Sequence, residues 1–185
     1  MLYFTCTVEI ISEHSPKALR INKLKYFKYY GVHGNMRVPL ILPTTKIFHI
    51  GDVITSDKAT ITNLGIQKEL ENICVRMEEP QLLDIEFNPG YDQIPMIANG
   101  LFKYSEKSTL ERRGRTHSLC YPCTLGIENE VGEKFNMFCI GYNAVAKAIS
   151  KQRPRFADVK CLLSIGNNSK VKTFYILVIK GFEVT

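Results

Sequence analysis

The chain has 185 residues, 45% hydrophobic and 23% charged, with a formal charge of +6. That mixture is that of a globular chain, not a disordered one, and suits one ordinary core or two small domains. No apolar run approaches the ~18 residues of a membrane-spanning helix, and the positive charge favours polyanionic partners without requiring them.

Strand signals dominate the chain order. Leu2–Ile11 is rich in β-branched and aromatic residues, which suit a pleated, half-buried surface. Glu9 interrupts that apolar stretch, and no cationic leader or small-residue cleavage site accompanies it. The expectation is therefore a soluble intracellular protein with free thiols, nuclear in a eukaryote. Ala18–Tyr30 alternates loosely, and Gly31-Val32-His33-Gly34-Asn35 reads as a turn. Met36–Leu42 is a short strand stopped by Pro43, and Lys46–Thr55 and Ala59–Thr62 keep β character.

Ile66, Leu70, Ile73, Cys74 and Met77 recur at helical spacing, so Ile66–Met77 predicts a helix capped by Asn63 and ended by Pro80. Leu82–Phe87 predicts a strand, Asn88-Pro89-Gly90 a turn and Pro95–Tyr104 another strand. Ser105–Thr116 is polar and reads as a loop. Leu119–Ile127 and Lys134–Ile140 form a hairpin; Ala144–Ile149 is a short helix; Asp158–Ile165 and Val171–Val184 make a second hairpin around an Asn-rich turn. The domain expectation is a β-rich module with one helix over 1–94 and a barrel module over 95–185.

Charge is spread unevenly. Lys17–Arg37 holds Lys17, Arg20, Lys23, Lys25, Lys28 and Arg37, no acidic residue, and the rings of Tyr26, Phe27, Tyr29 and Tyr30. Cations that track phosphates beside rings that stack on bases are what a single-stranded nucleic-acid site needs. A strand with a solvated basic face and core aromatics fits the same residues. Basic clusters return at Arg112, Arg113 and Arg115, and at Lys151, Arg153 and Arg155.

Catalytic patterns are weak. His117, Cys120 and Cys123, with Cys139 further on, have the residue types of a tetrahedral zinc site. Three residues' spacing within a strand, however, puts Cys120 and Cys123 on opposite faces, and no metal or other cofactor is expected. No phosphate-binding glycine loop is present. Neither the carboxylate pairs nor His33 and His117 form a recognisable acid–base or thiol pattern, so no enzyme activity is expected.

The C-terminal half runs strand, hairpin, short helix, hairpin: five strands with a helix between the third and fourth. Over Pro95–Val184 this order resembles the oligonucleotide/oligosaccharide-binding fold, or OB-fold, a five-stranded Greek-key barrel. Phe48-His49-Ile50-Gly51-Asp52-Val53-Ile54 looks like the OB-type phrase in which a Gly-Asp turn leads into a strand. A viral jelly roll or another β-sandwich would present a similar mix of elements. The resulting expectation is a mostly β protein with an OB-like barrel, as one or two packed β modules, and two short helices.

The resemblance implies that the loop between the first two barrel strands, Lys107–Arg115, clamps the ligand. It also implies non-catalytic binding of single-stranded DNA or RNA, as in replication, repair, telomere-end protection or viral strand coating. The expected phosphate contacts are Lys23, Lys25, Lys28, Arg37, Arg112, Arg113 and Arg115, extended by Lys151, Arg153 and Arg155. Tyr26, Tyr29 and Tyr30 are the expected stacking rings. The alternative is an interaction or assembly subunit, viral ones included, docking a protein partner or a second copy through Ile66–Met77 and Phe174–Ile179.

Overall fold

Side chains alternate between interior and surface through most strands, with the period of two that a pleated strand imposes. The computed structural model describes residues 4–63, 73–113, 117–129, 132–167 and 173–185. The N-terminal strands are β1 (Phe4–Ile10), β2 (Leu19–Ile21), β3 (Leu24–His33), β4 (Met36–Pro43), β5 (Val53–Asn63), β6 (Ile73–Glu78) and β7 (Gln81–Leu83). Then come β8 (Ile94–Lys103), β9 (Glu111–Arg113), β10 (Ser118–Glu128), β11 (Lys134–Tyr142), α1 (Asn143–Gln152), β12 (Phe156–Asn167) and β13 (Thr173–Val184). Phe4, Cys6, Val8 and Ile10 point inward along β1, as do Ile94, Met96, Ala98 and Phe102 along β8.

The chain divides into two compact units. One is built from Leu2–Ile94 with Ile165–Phe174, the other from Pro95–Ser164 with Tyr175–Thr185. In the N-terminal unit the strand order is β1-β3-β4-β6-β5, and β5 pairs back onto β1 to close a barrel. In the C-terminal unit the order is β8-β10-β11-β13-β12, returning to β8. Both barrels therefore run first, second, third, fifth, fourth. In both, the third and fifth strands are parallel neighbours, β4 with β6 and β11 with β13. The fold is OB-type twice over.

The two barrels differ between their third and fourth strands. In the C-terminal unit α1 occupies that stretch, packs on β10 and β11, and buries Ala146 and Ile149. Gly141 permits the approach, since a Cβ there would lie 2.9 Å from Ile149 Cδ1. In the N-terminal unit a loop, Thr44–Asp52, takes the place of the helix. Its Phe48 is fully buried, with its ring centroid 6.4 Å from that of Tyr29. Gly51 at φ 96° makes the turn, and the His49 N–H donates to Asp52 Oδ2 at 2.8 Å. The Gly-Asp turn thus delivers the chain into β5, as its sequence suggests.

Several local expectations change. Residues 66–72 of the expected helix Ile66–Met77 lie outside the described residues, and Ile73–Met77 falls in strand β6. Every residue from Ile73 to Met77 is buried. A strand covered on both faces lacks the apolar–polar alternation of a half-buried one, so its periodicity cannot distinguish it from a helix. α1 is the one α-helix among the described residues, and none there is long and apolar enough to cross a membrane.

Ala18–Tyr30 is not one strand: it turns at Asn22 and Lys23 into the β2–β3 hairpin. Gly31 to His33 belong to β3, where Gly31 lets Leu40 and Val8 come close, and the turn is Gly34-Asn35. The strand expected over Leu82–Phe87 survives only as β7, which ends at Leu83. The loop Ser105–Thr116 contains β9.

Candidate nucleic-acid interface

In each barrel the segment between the first and second strands carries a short extra strand hydrogen-bonded to the second. β2 pairs with β3, and β9 pairs with β10. Both are basic. Arg20 stands on β2, directly opposite Lys25. Like charges facing each other across a strand pair are destabilising, and here both are exposed. Lys23, also exposed, sits at the tip of the same hairpin with φ 72°. Arg20, Lys23 and Lys25 thus form one cationic tip.

β3 and β4, the second and third strands of the N-terminal barrel, continue that surface. Lys28, Tyr30 and Val32 alternate outward on β3, and Arg37 is opposite Val32 on β4. The Arg37 guanidinium carbon lies 4.0 Å from the Tyr30 ring centroid, and Lys28 Nζ lies 5.2 Å from it. Both distances suit cation–π attraction. Tyr30 is half-buried, Lys28 half-buried and Arg37 exposed.

The other two tyrosines are not stacking faces. Tyr29 points into the barrel and is fully buried; its hydroxyl accepts from the Phe48 N–H at 3.3 Å. Burial raises its phenol pKa. Tyr26 shares the outward parity of Tyr30 but is covered by Leu19 and Ile21, packing with Ile41 and Cys74. Its hydroxyl donates to Glu78, which also faces Arg76 Nε at 3.5 Å. Burial, reinforced by the Glu78 bond, pushes this phenol up to about 12.

In the C-terminal barrel Arg112 and Arg113 are exposed on β9. Arg112 Nη1 donates to the His117 carbonyl at 3.2 Å, and Arg113 is ion-paired with Glu111. Arg115 lies outside the described residues. The face of the second and third strands, β10 and β11, presents Thr124, Gly126, Asn136 and Phe138. Phe138 is 56% exposed, unusual for a phenyl ring in mid-strand. Lys103 of β8 stands in the same row, opposite Thr124, which is itself opposite Phe138.

The cations after α1 play a more local part. Lys151 is exposed in the last helical turn, where a positive charge offsets the helix dipole. Arg153 is the left-handed C-cap at φ 42°, its N–H donating to the Ile149 carbonyl at 2.9 Å. Its guanidinium carbon lies 4.5 Å from the Tyr104 ring centroid, and Nη1 lies 3.5 Å from the Tyr121 hydroxyl. The exposed Arg155 gives its carbonyl to the Phe102 N–H at 2.7 Å. Arg153 is thus held on the root of the loop that bears β9.

No family model matches the chain, and no curated protein sequence matches it. The likeness is to solved structures. A deletion mutant of the single-stranded DNA binding protein from Thermus aquaticus is 10% identical, with a TM-score of 0.59 over 100% of this chain and 94% of that chain. At that identity the likeness is one of fold, and it spans both units. A replication protein A heterotrimer bound to ssDNA gives a TM-score of 0.33 at 9% identity, over 100% of this chain and 49% of that chain. A murine DNA binding protein bound with double-stranded DNA gives 0.31 at 13% identity, over 98% of this chain and 99% of that chain.

Phe138, Lys103 and Asn136 are the outward residues that sequence reasoning missed. Their signal is faint: a phenylalanine at a solvent-parity position in Lys134–Tyr142, visible only once the register is known. The cysteines do not assemble a ligand set. Cys123 lies inside the barrel with its Sγ 3.0 Å from that of Cys139, while Cys120 on the other face of β10 contacts the Glu111 carbonyl. Among the described residues no cluster of three or more His, Cys, Asp or Glu is arranged to hold a metal. The alternative docking surfaces also meet interior residues. Cys74, Val75 and Met77 are buried in β6, and Tyr175, Leu177 and Ile179 in β13.

Proposed function

We propose that this chain binds nucleic acid, specifically single strands of DNA or RNA, without catalysing a reaction on them. One observation carries the reading. In each barrel an arginine-bearing strand in the first loop pairs with the second barrel strand, and the face of the second and third strands bears an outward aromatic, Tyr30 beside Arg37 in one and the exposed Phe138 in the other. That loop and that face are where OB barrels take oligonucleotides. Arg20, Lys23, Lys25, Lys28 and Arg37 meet phosphates on one barrel, and Arg112 and Arg113 on the other. Tyr30 and Phe138 offer rings to unstacked bases. The Thermus aquaticus neighbour is named for single-stranded DNA binding, which agrees with this reading.

A competition assay tests it. A fluorescent single-stranded oligonucleotide bound at low salt should be displaced by the unlabelled strand far better than by its duplex. Equal displacement by the duplex would overturn the single-strand preference, and no binding at low salt would overturn the whole reading.

A further inference from the structure

The outward face of the C-terminal barrel holds a polar pair placed to read a base. Lys103 Nζ donates to Asn136 Oδ1 at 2.9 Å. The two residues are not opposite each other: Lys103 faces Thr124, and Asn136 faces Gly126. The lysine reaches the amide across Gly126, where a Cβ would lie 3.3 Å from Asn136 Oδ1 and 3.5 Å from Lys103 Cε. The absence of a side chain keeps that path open. Asn136 and Phe138 are two residues apart on β11 and point the same way, about 6.8 Å along the strand. A base stacked on Phe138 therefore brings one edge to the pair.

Chemistry fixes the orientation of the amide. An ammonium has only donors, so it faces Oδ1, and the Asn136 NH₂ is turned to the other side. The pair consequently presents donors. An unconstrained asparagine reads adenine, accepting from N6 and donating to N7, whereas guanine shows acceptors at both O6 and N7. The ammonium takes one lone pair of Oδ1 and stands on that side of the amide, so the amino group of adenine, itself a donor, approaches a positive charge, while both guanine acceptors are matched. The two purines stack alike on a phenyl ring, so the choice falls to this edge.

Building on the nucleic-acid reading above, we propose that Lys103 and Asn136 make the C-terminal barrel select guanine over adenine at the base stacked on Phe138. The test compares 12-mers of repeated TTG and repeated TTA, bound to wild type, Lys103→Met, Asn136→Ala and the control Lys134→Met. Wild type and the control should bind the guanine strand about tenfold more tightly. Lys103→Met, which frees Oδ1, should remove or reverse the ratio, and Asn136→Ala should remove it. Equal binding of both strands by wild type, or an unchanged ratio in Lys103→Met, would overturn base selection while leaving oligonucleotide binding intact. Binding of neither strand would overturn the nucleic-acid reading itself, and base selection with it.

Discussion

Arg37 holds its guanidinium carbon 4.0 Å from the centroid of the Tyr30 ring, on the outward face of the second and third strands of the N-terminal barrel. Lys28 approaches the same ring from two residues earlier on β3. The ring is thereby held among cations that can pass to phosphates when a base takes their place. Tyr30→Ala should cost about 1–3 kcal/mol of oligonucleotide affinity with the salt slope unchanged. Arg37→Ala should instead reduce the log–log salt slope by about 0.7. Anisotropy titrations at several salt concentrations separate the two, and full affinity in Tyr30→Ala would remove the ring from the site.

Tyr29 supplies the contrast one residue away. It is fully buried, so Tyr29→Ala should destabilise the fold by about 3–5 kcal/mol, as truncation of large core aromatics does. Thermal melts should show a large loss for Tyr29→Ala and little change for Tyr30→Ala. The reverse order would mean that the register of β3 is shifted by one residue.

Tyr26 predicts an alkaline limit to stability. Its folded pKa of about 12 lies above the unfolded value of about 10, so folding favours the neutral phenol. That contribution is complete below pH ~10 and is lost as pH rises from ~10 through ~12. Tyr26→Phe lacks this step. Denaturant titrations across that range should therefore show the stability of wild type falling relative to Tyr26→Phe, and a constant difference would contradict the assignment.

The β2–β3 turn separates stability from binding. Asn22 and Lys23 have φ of 48° and 72°, the pattern of a two-residue hairpin turn that favours Asn-Gly. Lys23→Gly should stabilise the protein by about 1 kcal/mol, since lysine is strained there. The same change should weaken oligonucleotide binding and flatten its salt dependence, because one phosphate contact is gone. Denaturation and binding curves on the same variant check both halves.

The C-terminal barrel was readable in the sequence because its strands alternate cleanly and α1 falls between the third and fourth. The N-terminal barrel has the same topology without the same signature. Phe48 and its loop stand where the helix would be, and β6 is buried on both faces from Ile73 to Met77, Arg76 included, which erases the strand period. The basic segment was readable as charge, but not which rings it leaves free. Tyr29 and Tyr30 are adjacent and must take opposite faces. Tyr26 shares the face of Tyr30, yet β2 covers it, and that packing comes from a hairpin turn at Asn22 that local pattern did not mark. Phe138 carries no local signal because its strand has one cation, and the register alone brings Lys103 of β8 into the same row, across Thr124.

In the proposed function the two basic first loops, with Lys25 beside the first of them on β3, hold the phosphate backbone. The most direct measurement is the salt dependence of binding to a labelled single-stranded oligonucleotide, for wild type and for a variant with Arg20, Lys25, Arg112 and Arg113 all changed to serine. Wild type should bind at micromolar concentration or tighter in low salt and weaken steeply as salt rises, and the variant slope should be shallower by about 2–3. A flat wild-type slope, or the same slope in the variant, would contradict the account.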